Sequence, residues 1–416
     1  MKRIILTCMT AMMAFPMLAQ YTGSGYYRIH NQGAASRYIS IVHNDVEEQY
    51  KDKNSIDHII TTSAYGFNID IYALKTVKKP VSDPGTILYI SGSESDGLVI
   101  EGQGINTKDL TQGYNLMYRN NILYSTYKGT QANLADLNET PDSKDSHSCI
   151  CGNSKLKDYG SFSKWDFKKI DNDTEYFGVN PKENVVIEGK YYTTLYADFS
   201  IQLPSGMKAY YIDQHIYDTN HVQEPIAELK EITDGKIPAA TPVIIECSSN
   251  TAEDNKVTII SENLSKISGN ELAGRYFCNI IFKGTTTTEN ENETELKNAL
   301  EFNKNTMRVL GIKDGKLAMV DDNDNALTVT TKSNGKGKYI PANKAYLPIN
   351  SSEASATSIK LLTPDEYQAA TSISKVNADD STPKGIFTLS GVRVKEDANN
   401  LPSGIYIVDG KKQVIR

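Results

Sequence analysis

The sequence is poor in several residue types that define common protein classes. Its 416 residues include only five cysteines and one tryptophan. The 44 Lys and Arg residues are outnumbered by 51 Asp and Glu residues. So few cysteines exclude a disulfide-dense scaffold. The formal net charge of -7 argues against a basic surface for nucleic-acid phosphates, and we expect no nucleic-acid partner. A hydrophobic content of 39% is that of a folded, soluble chain.

Motifs that carry catalysis are missing as well. The chain has no Gly-x-Ser-x-Gly nucleophile turn, no His-Glu-x-x-His zinc helix and no Gly-x-x-x-x-Gly-Lys phosphate loop. With 51 acidic residues, no carboxylate pair stands out as a glycosidase site. The histidines show no metal-ligand spacing, and we predict no catalytic residue, metal site or cofactor. They are His30, His43, His58, His147, His215 and His221.

The start of the chain is typical of a secretory signal. Lys2 and Arg3 precede a largely apolar run from Ile4 to Leu18, and the small Ala19 follows. This run is shorter than the roughly 20 apolar residues that span a bilayer. We predict a signal peptide at residues 1–19, export to the extracellular space, the outer-membrane surface or the periplasm, and no membrane span in the mature chain.

The cysteines that follow the signal are candidates for disulfides in an oxidising compartment. Cys149 and Cys151 are separated by one residue, and a bridge between them would be strained. Free thiols are therefore the alternative. All of the disulfide candidates are Cys149, Cys151, Cys247 and Cys278.

An acidic run at Asp321–Asn325 suggests calcium because hard cations prefer oxygen ligands. It lacks the glycine and the closing glutamate of an EF-hand loop. A solvated hairpin turn is the favoured interpretation, because Asp and Asn are common in turns.

Short apolar runs rich in β-branched and aromatic residues predict an all-β fold. Turn residues such as Gly92, Gly97 and Gly189 separate them. Helical periodicity is confined to short pieces, for instance residues 295–301 and a turn at 363–367. The clearest runs are at residues 26–29, 38–41, 86–90, 98–100, 185–187 and 242–245.

The first part of the chain resembles the ricin-type β-trefoil family. Residues 25–31 (Gly-Tyr-Tyr-Arg-Ile-His-Asn), 36–41 (Ser-Arg-Tyr-Ile-Ser-Ile) and 163–170 (Ser-Lys-Trp-Asp-Phe-Lys-Lys-Ile) carry the resemblance. It implies a β-trefoil-like domain at 20–180 that binds a sugar by ring stacking and polar side chains. Trp165 and Asp166 are the candidate ligand-binding residues on this basis. A core position for Trp165 is the alternative, because large aromatic residues are mostly buried.

The second part resembles a β-rich module of secreted and surface proteins of the Bacteroidota. Residues 189–199, 237–245 (Ile-Pro-Ala-Ala-Thr-Pro-Val-Ile-Ile) and 339–347 (Tyr-Ile-Pro-Ala-Asn-Lys-Ala-Tyr-Leu) carry this resemblance. It implies a sandwich-like module at 181–364 and placement at the cell surface, and it assigns no catalytic residue.

The end of the chain resembles the C-terminal sorting domains of type IX secretion. Residues 385–394 and 401–412 (Leu-Pro-Ser-Gly-Ile-Tyr-Ile-Val-Asp-Gly-Lys-Lys) carry the motifs. We predict a linker at 365–384 and a short β-hairpin segment at 385–416. The resemblance implies the secretion machinery as a partner of that segment.

These features together predict a secreted or cell-surface, non-catalytic binding or adhesion protein. Its ligand would be a glycan or a surface protein. A structural role in a surface complex is the alternative, and a secreted hydrolase with an unrecognised carboxylate pair is the third hypothesis. Function has to be argued from a site, and the sequence alone shows none.

Overall fold

A computed structural model describes residues 20–33, 37–43, 67–73, 81–106, 116–127, 130–136, 150–153, 160–217, 224–276, 278, 300–321, 338–379, 385–388, 393–394, 401–402, 404–408 and 411–415. In this part of the chain the fold is all-β with one α-helix, so the predicted fold class is confirmed. The predicted signal peptide at 1–19 lies outside the described residues.

The first eleven strands, β1 to β11, lie within the domain expected at 20–180, which is called the first domain below. β1 to β6 and β11 form a seven-stranded sheet, and β7 to β10 form a four-stranded sheet. The backbone bridges Leu98–Leu116 and Ile122–Lys164 connect these regions of the domain. The β-trefoil arrangement itself stays a prediction. In order, the strands are Gly25–Asn31, Arg37–His43, Phe67–Ala73, Leu88–Ser93, Gly97–Gly102, Ile105–Asn106, Met117–Arg119, Ile122–Tyr127, Thr130–Asp136, Ile150–Asn153 and Trp165–Lys169.

Strand β1 is covered on both faces. It pairs antiparallel with β11 along one edge and with β4 and then β2 along the other. Because side chains alternate along a strand, Tyr27 and Ile29 point into the core of the first domain, where both are fully buried. Tyr26, Arg28 and His30 lie on the opposite face. These three side chains have different neighbours: Tyr26 packs against an apolar core, Arg28 forms a buried ion pair, and His30 lies beside Asp166.

Arg28 is a buried cation on this second face of β1. Its Nε donates to Thr86 Oγ1 at 3.3 Å, and its Nη1 lies 3.5 Å from Glu175 Oε2. Burial lowers the pKa of the Arg28 guanidinium, and the Glu175 carboxylate opposes that effect. Removing one partner of a buried ion pair leaves the other charge uncompensated. The pair therefore ties the 3-10 turn Pro84–Thr86 and the loop at Glu175 to β1.

Strands β13 to β27 lie within the module expected at 181–364, and β12 pairs with them; this group of strands is called the second domain below. They form a four-stranded sheet (β12-β20-β15-β18), a ten-stranded sheet (β13-β14-β19-β16-β17-β27-β24-β23-β26-β21) and the pair β22-β25. In order, the strands are Phe177–Gly178, Val186–Ile187, Lys190–Leu195, Ser200–Gln202, Lys208–Ile216, Ile226–Glu231, Lys236–Ile237, Val243–Cys247, Lys256–Ile260, Ala273–Arg275, Leu300–Glu301, Met307–Lys313, Lys316–Val320, Tyr339–Ile340, Lys344–Pro348 and Ser358–Leu362.

Strand β19 lies between two apolar cores of the second domain. Val243 and Ile245 pack in one core with Phe199, whereas Ile244 packs in the other with Leu310. A strand buried on both faces requires a continuous apolar run rather than an alternating one. The Pro-Val-Ile-Ile run of the sequence meets that requirement.

The two domains share one of these cores. Ile87 and Ile170 of the first domain are buried in the same cluster as Phe199, and Tyr26 packs against it with its ring centroid 6.0 Å from that of Phe199. Strand β12 lies before the expected boundary at 180/181, yet it pairs with β20. The structure therefore places Phe177–Gly178 in the second domain's sheet.

The segment expected to be a linker at 365–384 begins with a helix, α1, at Pro364–Asp379. Thr363 and Glu366 form a capping box, in which the Thr363 backbone N–H donates to Glu366 Oε2 at 3.0 Å and the Glu366 N–H donates to Thr363 Oγ1 at 3.4 Å. Tyr367 packs against Ile226 of β17 and anchors the helix. The linker prediction is corrected here, because the capping box starts a helix where only a turn was expected.

The chain ends in a small antiparallel sheet of four strands in the order β29-β28-β30-β31. The predicted hairpin is part of this sheet, as the antiparallel pair β30–β31. The strands are β28 (Ile386–Thr388), β29 (Arg393–Val394), β30 (Gly404–Val408) and β31 (Lys411–Ile415).

The shared core makes a prediction about cooperativity. We expect Phe199→Ala to lower the free energy of unfolding by about 3–5 kcal/mol, because it removes a buried aromatic side chain and leaves a cavity. Both domains line that cavity, so urea unfolding followed by tyrosine and tryptophan fluorescence and by circular dichroism should give coincident transitions that shift together. Val186→Ala, at a side chain that is 39% exposed, is the control and should change stability by less than about 0.5 kcal/mol. Two separate transitions, with only one shifted, would contradict a shared core.

Candidate functional site

Trp165 lies in the core of the first domain. The residues of β11 alternate, so that Trp165 and Phe167 point inward while Asp166 points outward. Trp165 has no exposed surface, and its carbonyl accepts the Tyr118 hydroxyl at 3.2 Å. A platform for a sugar ring requires an exposed aromatic face. The structure therefore contradicts Trp165 as a ligand-stacking residue and supports the core interpretation.

Asp166, the other predicted ligand-binding residue, lies at the centre of a polar group. Its Oδ1 accepts hydrogen bonds from Gln32 Nε2 at 2.7 Å and from Asn121 Nδ2 at 3.3 Å. Its Oδ2 lies 3.7 Å from Nδ1 of His30, the residue directly opposite on β1. We call His30, Gln32, Asn121 and Asp166 the Asp166 cluster. It joins three separate parts of the first domain.

The Asp166 cluster is half-buried and carries a negative charge. The side chains of His30 and Asp166 are 13% and 17% exposed. Burial acts to raise the pKa of Asp166, but hydrogen bonds from His30 and Gln32 and the charges of His30 and Lys168 outweigh it, and the pKa is lowered. The carboxylate is therefore ionised at neutral pH, where it is an acceptor only.

Two rings lie beside the Asp166 cluster, of which Tyr38 is buried and His30 is partly exposed. The Tyr38 and His30 rings have centroids 5.0 Å apart, and Lys168 Nζ lies 5.6 Å from the Tyr38 centroid. Carboxylate, amide and imidazole groups on one patch supply both acceptors and donors. Such a patch suits a ligand with several hydroxyl groups.

The disulfide candidates are not joined where the structure describes them. Cys247 is a buried free thiol and Cys278 is a half-buried free thiol, so these two cysteines do not pair. Burial raises the pKa of Cys247 to about 12 and that of Cys278 to about 11, so neither is a reactive thiolate at neutral pH. Cys149 and the Cys151 side chain lie outside the described residues.

Two other charged clusters lie on or beside the ten-stranded sheet. Glu246 Oε2 accepts the hydroxyls of Tyr210 at 3.0 Å and Tyr192 at 3.3 Å. His215 Nδ1 lies 2.5 Å from Glu271 Oε2, and its Nε2 lies 3.5 Å from Glu353 Oε2. Each of these contacts joins side chains from two different segments of the second domain.

The described ranges contain no group of three His, Cys, Asp or Glu side chains that could hold a metal ion. Of the acidic run considered for calcium, only Asp321 is described, and residues 322–325 lie outside.

A cavity of about 160 Å³ opens beside β14, β23 and β26, and sequence analysis did not point to it. Lys182 and Lys344 both line it, together with Thr193 and Thr194. Lys344 lies in the Ile-Pro-Ala-Asn-Lys-Ala-Tyr-Leu motif that carries the resemblance to a β-rich module. The available signal was a lysine at the start of the short Ala-Tyr-Leu strand.

A polar contact joins the domains beside their shared core. The side chains of Gln103 and Asn343 form a reciprocal amide pair, with nitrogen–oxygen distances of 3.0 and 3.3 Å. Nearby, burial raises the pKa of Asp198 to about 6, although the backbone N–H groups of Gln103 and Gly104 act to lower it. The Glu101 carboxylate adds to the increase. A partly desolvated carboxyl therefore lies at the domain interface.

No family model matches the chain, and neither the curated proteins nor the solved structures contain a significant match. Over the described residues, no helix has the length and apolar character needed to cross a membrane.

The raised pKa of Asp198 predicts a specific pH dependence. The folded protein binds this proton more tightly than the unfolded chain, so the stabilisation is present below about pH 4 and is lost as the pH rises through about 6. We expect Asp198→Asn to raise the free energy of unfolding at pH 7 by up to about 3 kcal/mol relative to its effect at pH 4. Urea denaturation at both pH values measures this difference.

The control for this prediction is Asp96→Asn, at an exposed aspartate of the β4–β5 hairpin, which should show no comparable gain at pH 7. If the effect of Asp198→Asn is the same at both pH values, the carboxyl does not titrate in this range and the prediction is wrong.

Proposed function

We propose that the protein is an exported, non-catalytic binding protein of the bacterial cell surface and that its first domain binds carbohydrate through the Asp166 cluster. The observation that carries this proposal is the half-buried, ionised Asp166, held by the amides of Gln32 and Asn121 beside the His30 ring. The sequence features that predict export and the resemblance of the first domain to ricin-type lectins support the same function.

The chemistry of the cluster suits hydroxyl groups of a sugar. An ionised carboxylate accepts strong charge-assisted hydrogen bonds from hydroxyl donors. The amides of Gln32 and Asn121 each provide both a donor and an acceptor. Hydrogen bonds within the cluster fix the side chains before a ligand arrives, which reduces the entropy lost on binding.

The decisive experiment is a glycan array with the mature chain and its Asp166→Asn variant. We expect the wild type to bind a limited set of glycans and the variant to bind the same set about 10- to 100-fold more weakly, because a charge-assisted hydrogen bond contributes about 1.5–3 kcal/mol. Titration calorimetry with the strongest glycan would give the two dissociation constants.

The matched control is Asp254→Asn. Asp254 is an exposed aspartate of the second domain that also accepts two hydrogen bonds, from Ser249 Oγ and Thr251 Oγ1. Its substitution should leave glycan binding unchanged. A blank array for the wild type, or equal binding by wild type and Asp166→Asn with both folded, would overturn the carbohydrate proposal. Release of sugar from the glycans would instead favour the hydrolase hypothesis.

Recognition by another protein is a second candidate function, and the C-terminal sheet favours it. Ile405 and Val414 are opposite each other on β30 and β31, and they are 40% and 65% exposed. β31 is also an edge strand of its sheet. An exposed apolar pair beside an open strand edge is suited to pairing with another protein. We propose that the secretion machinery recognises this pair.

This proposal predicts a delivery defect. In a Bacteroidota host with type IX secretion, the full chain with Ile405→Ser and Val414→Ser should reach the cell surface several-fold less than the wild type, as measured by surface proteolysis and immunoblotting. Val186→Ser, at an exposed apolar residue of the second domain, should be delivered normally. Normal delivery of the double variant would exclude the pair as a recognition element.

A further inference from the structure

The cavity in the second domain combines cationic, hydroxyl and apolar walls. Its volume is about 160 Å³. One buried water needs roughly 10–15 Å³ of such a cavity. The cavity therefore has room for a molecule of several non-hydrogen atoms. Val309 and Leu310 of β23 form part of its apolar wall, and Thr193 and Thr194 of β14 supply hydroxyl groups.

The two lysines are held in place by hydrogen bonds to neighbouring strands. Lys344 Nζ donates to Thr193 Oγ1 at 2.8 Å, and Lys182 Nζ donates to the Leu310 carbonyl at 3.0 Å. An ammonium group has three N–H donors, and the Thr193 hydroxyl accepts one from Lys344. The Thr194 hydroxyl accepts from the Ala345 backbone N–H and fixes β26 beside β14.

Within the part of the chain that the structure describes, the positive charge of Lys344 is poorly compensated. Burial, together with the charge of Lys182, lowers its pKa to about 8, whereas the Cys247 thiol acts in the opposite direction. That thiol has a pKa of about 12, so at neutral pH it supplies no negative charge. Neither of the two groups that act on Lys344 is a carboxylate.

We propose that this cavity is a binding site for a small aliphatic carboxylate, whose two oxygens would contact the ammonium groups of Lys182 and Lys344. Two ammonium groups match the two acceptor oxygens of a carboxylate. Val309 and Leu310 would contact the short aliphatic part of the ligand. The site lies in the second domain, so it is independent of the carbohydrate site proposed for the Asp166 cluster.

Propionate and its neutral isostere propionamide are the probes for this site. We expect isothermal titration calorimetry and NMR at pH 7 to show saturable binding of propionate by the full mature chain, and binding of propionamide at least roughly tenfold weaker. Lys344→Met should weaken propionate binding by roughly tenfold or more. Lys208→Met, at an exposed lysine of the same sheet, is the matched control and should bind as the wild type does. Asp166→Asn should also leave propionate binding unchanged.

The pH dependence of the wild type provides a test that needs no variant. The Lys344 ammonium attracts the carboxylate only in its charged form, so the affinity should fall as the pH rises above about 8, toward the affinity of Lys344→Met. An ordinary exposed lysine titrates near 10.4 and would give no such fall between pH 8 and 9.5. Equal binding of propionate and propionamide, an affinity that is constant between pH 7 and 9.5, or binding of inorganic phosphate without binding of propionate would overturn the proposal.

Discussion

The burial of strand β1 on both faces is the constraint on which the rest of the structure depends. One face supplies Tyr27 and Ile29 to the core of the first domain. The other face supplies Tyr26 to the core shared with the second domain, Arg28 to a buried ion pair and His30 to the Asp166 cluster. A shift of one residue in register would exchange these two sets, because successive side chains point to opposite faces. The position of the candidate site and the contact between the domains therefore depend on the same strand register.

Charged groups next to the shared core make this arrangement specific. Arg28 is compensated by Glu175, and Asp198 lies near the turn that carries Gln103 and Gly104. Burial disfavours the charged form of both groups, as the directions of their pKa values show. Apolar contacts such as that between Tyr26 and Phe199 provide the stabilisation at this interface. The hydrogen bonds from the backbone of Gln103 and Gly104 to Asp198 favour one relative placement of the domains over others, since a displaced domain would leave the Asp198 carboxyl without these partners.

The sequence predicted the strand content well, but it did not predict the extent of the helix or how that helix packs. The β-branched runs identified the all-β class, and the continuous apolar run at 242–245 marked a strand that proved to be buried on both faces. The helix at Pro364–Asp379 was missed beyond its first turn, although Thr363 and Glu366 carry the spacing of a capping box. That spacing is a local signal, whereas the docking of Tyr367 on Ile226 depends on strands that are distant in the sequence.

For the candidate site residues as well, the sequence indicated some of the residues but not the side chains that surround them. Asp166 lies in a polar cluster, but the cluster consists of side chains from β1, the following turn and the β7–β8 turn, whose proximity no spacing along the chain indicates. Trp165 and Asp166 are neighbours in sequence but point to opposite faces of β11, one into the core and one outward. Lys344 appeared only as part of a strand motif, and its distinctive environment arises from Lys182, Thr193 and Cys247 on other segments. The sequence by itself determined the strand content, the predicted export signal and the residues available. The tertiary structure decided which side chains share a desolvated space, because burial and charge proximity are set by contacts between distant segments.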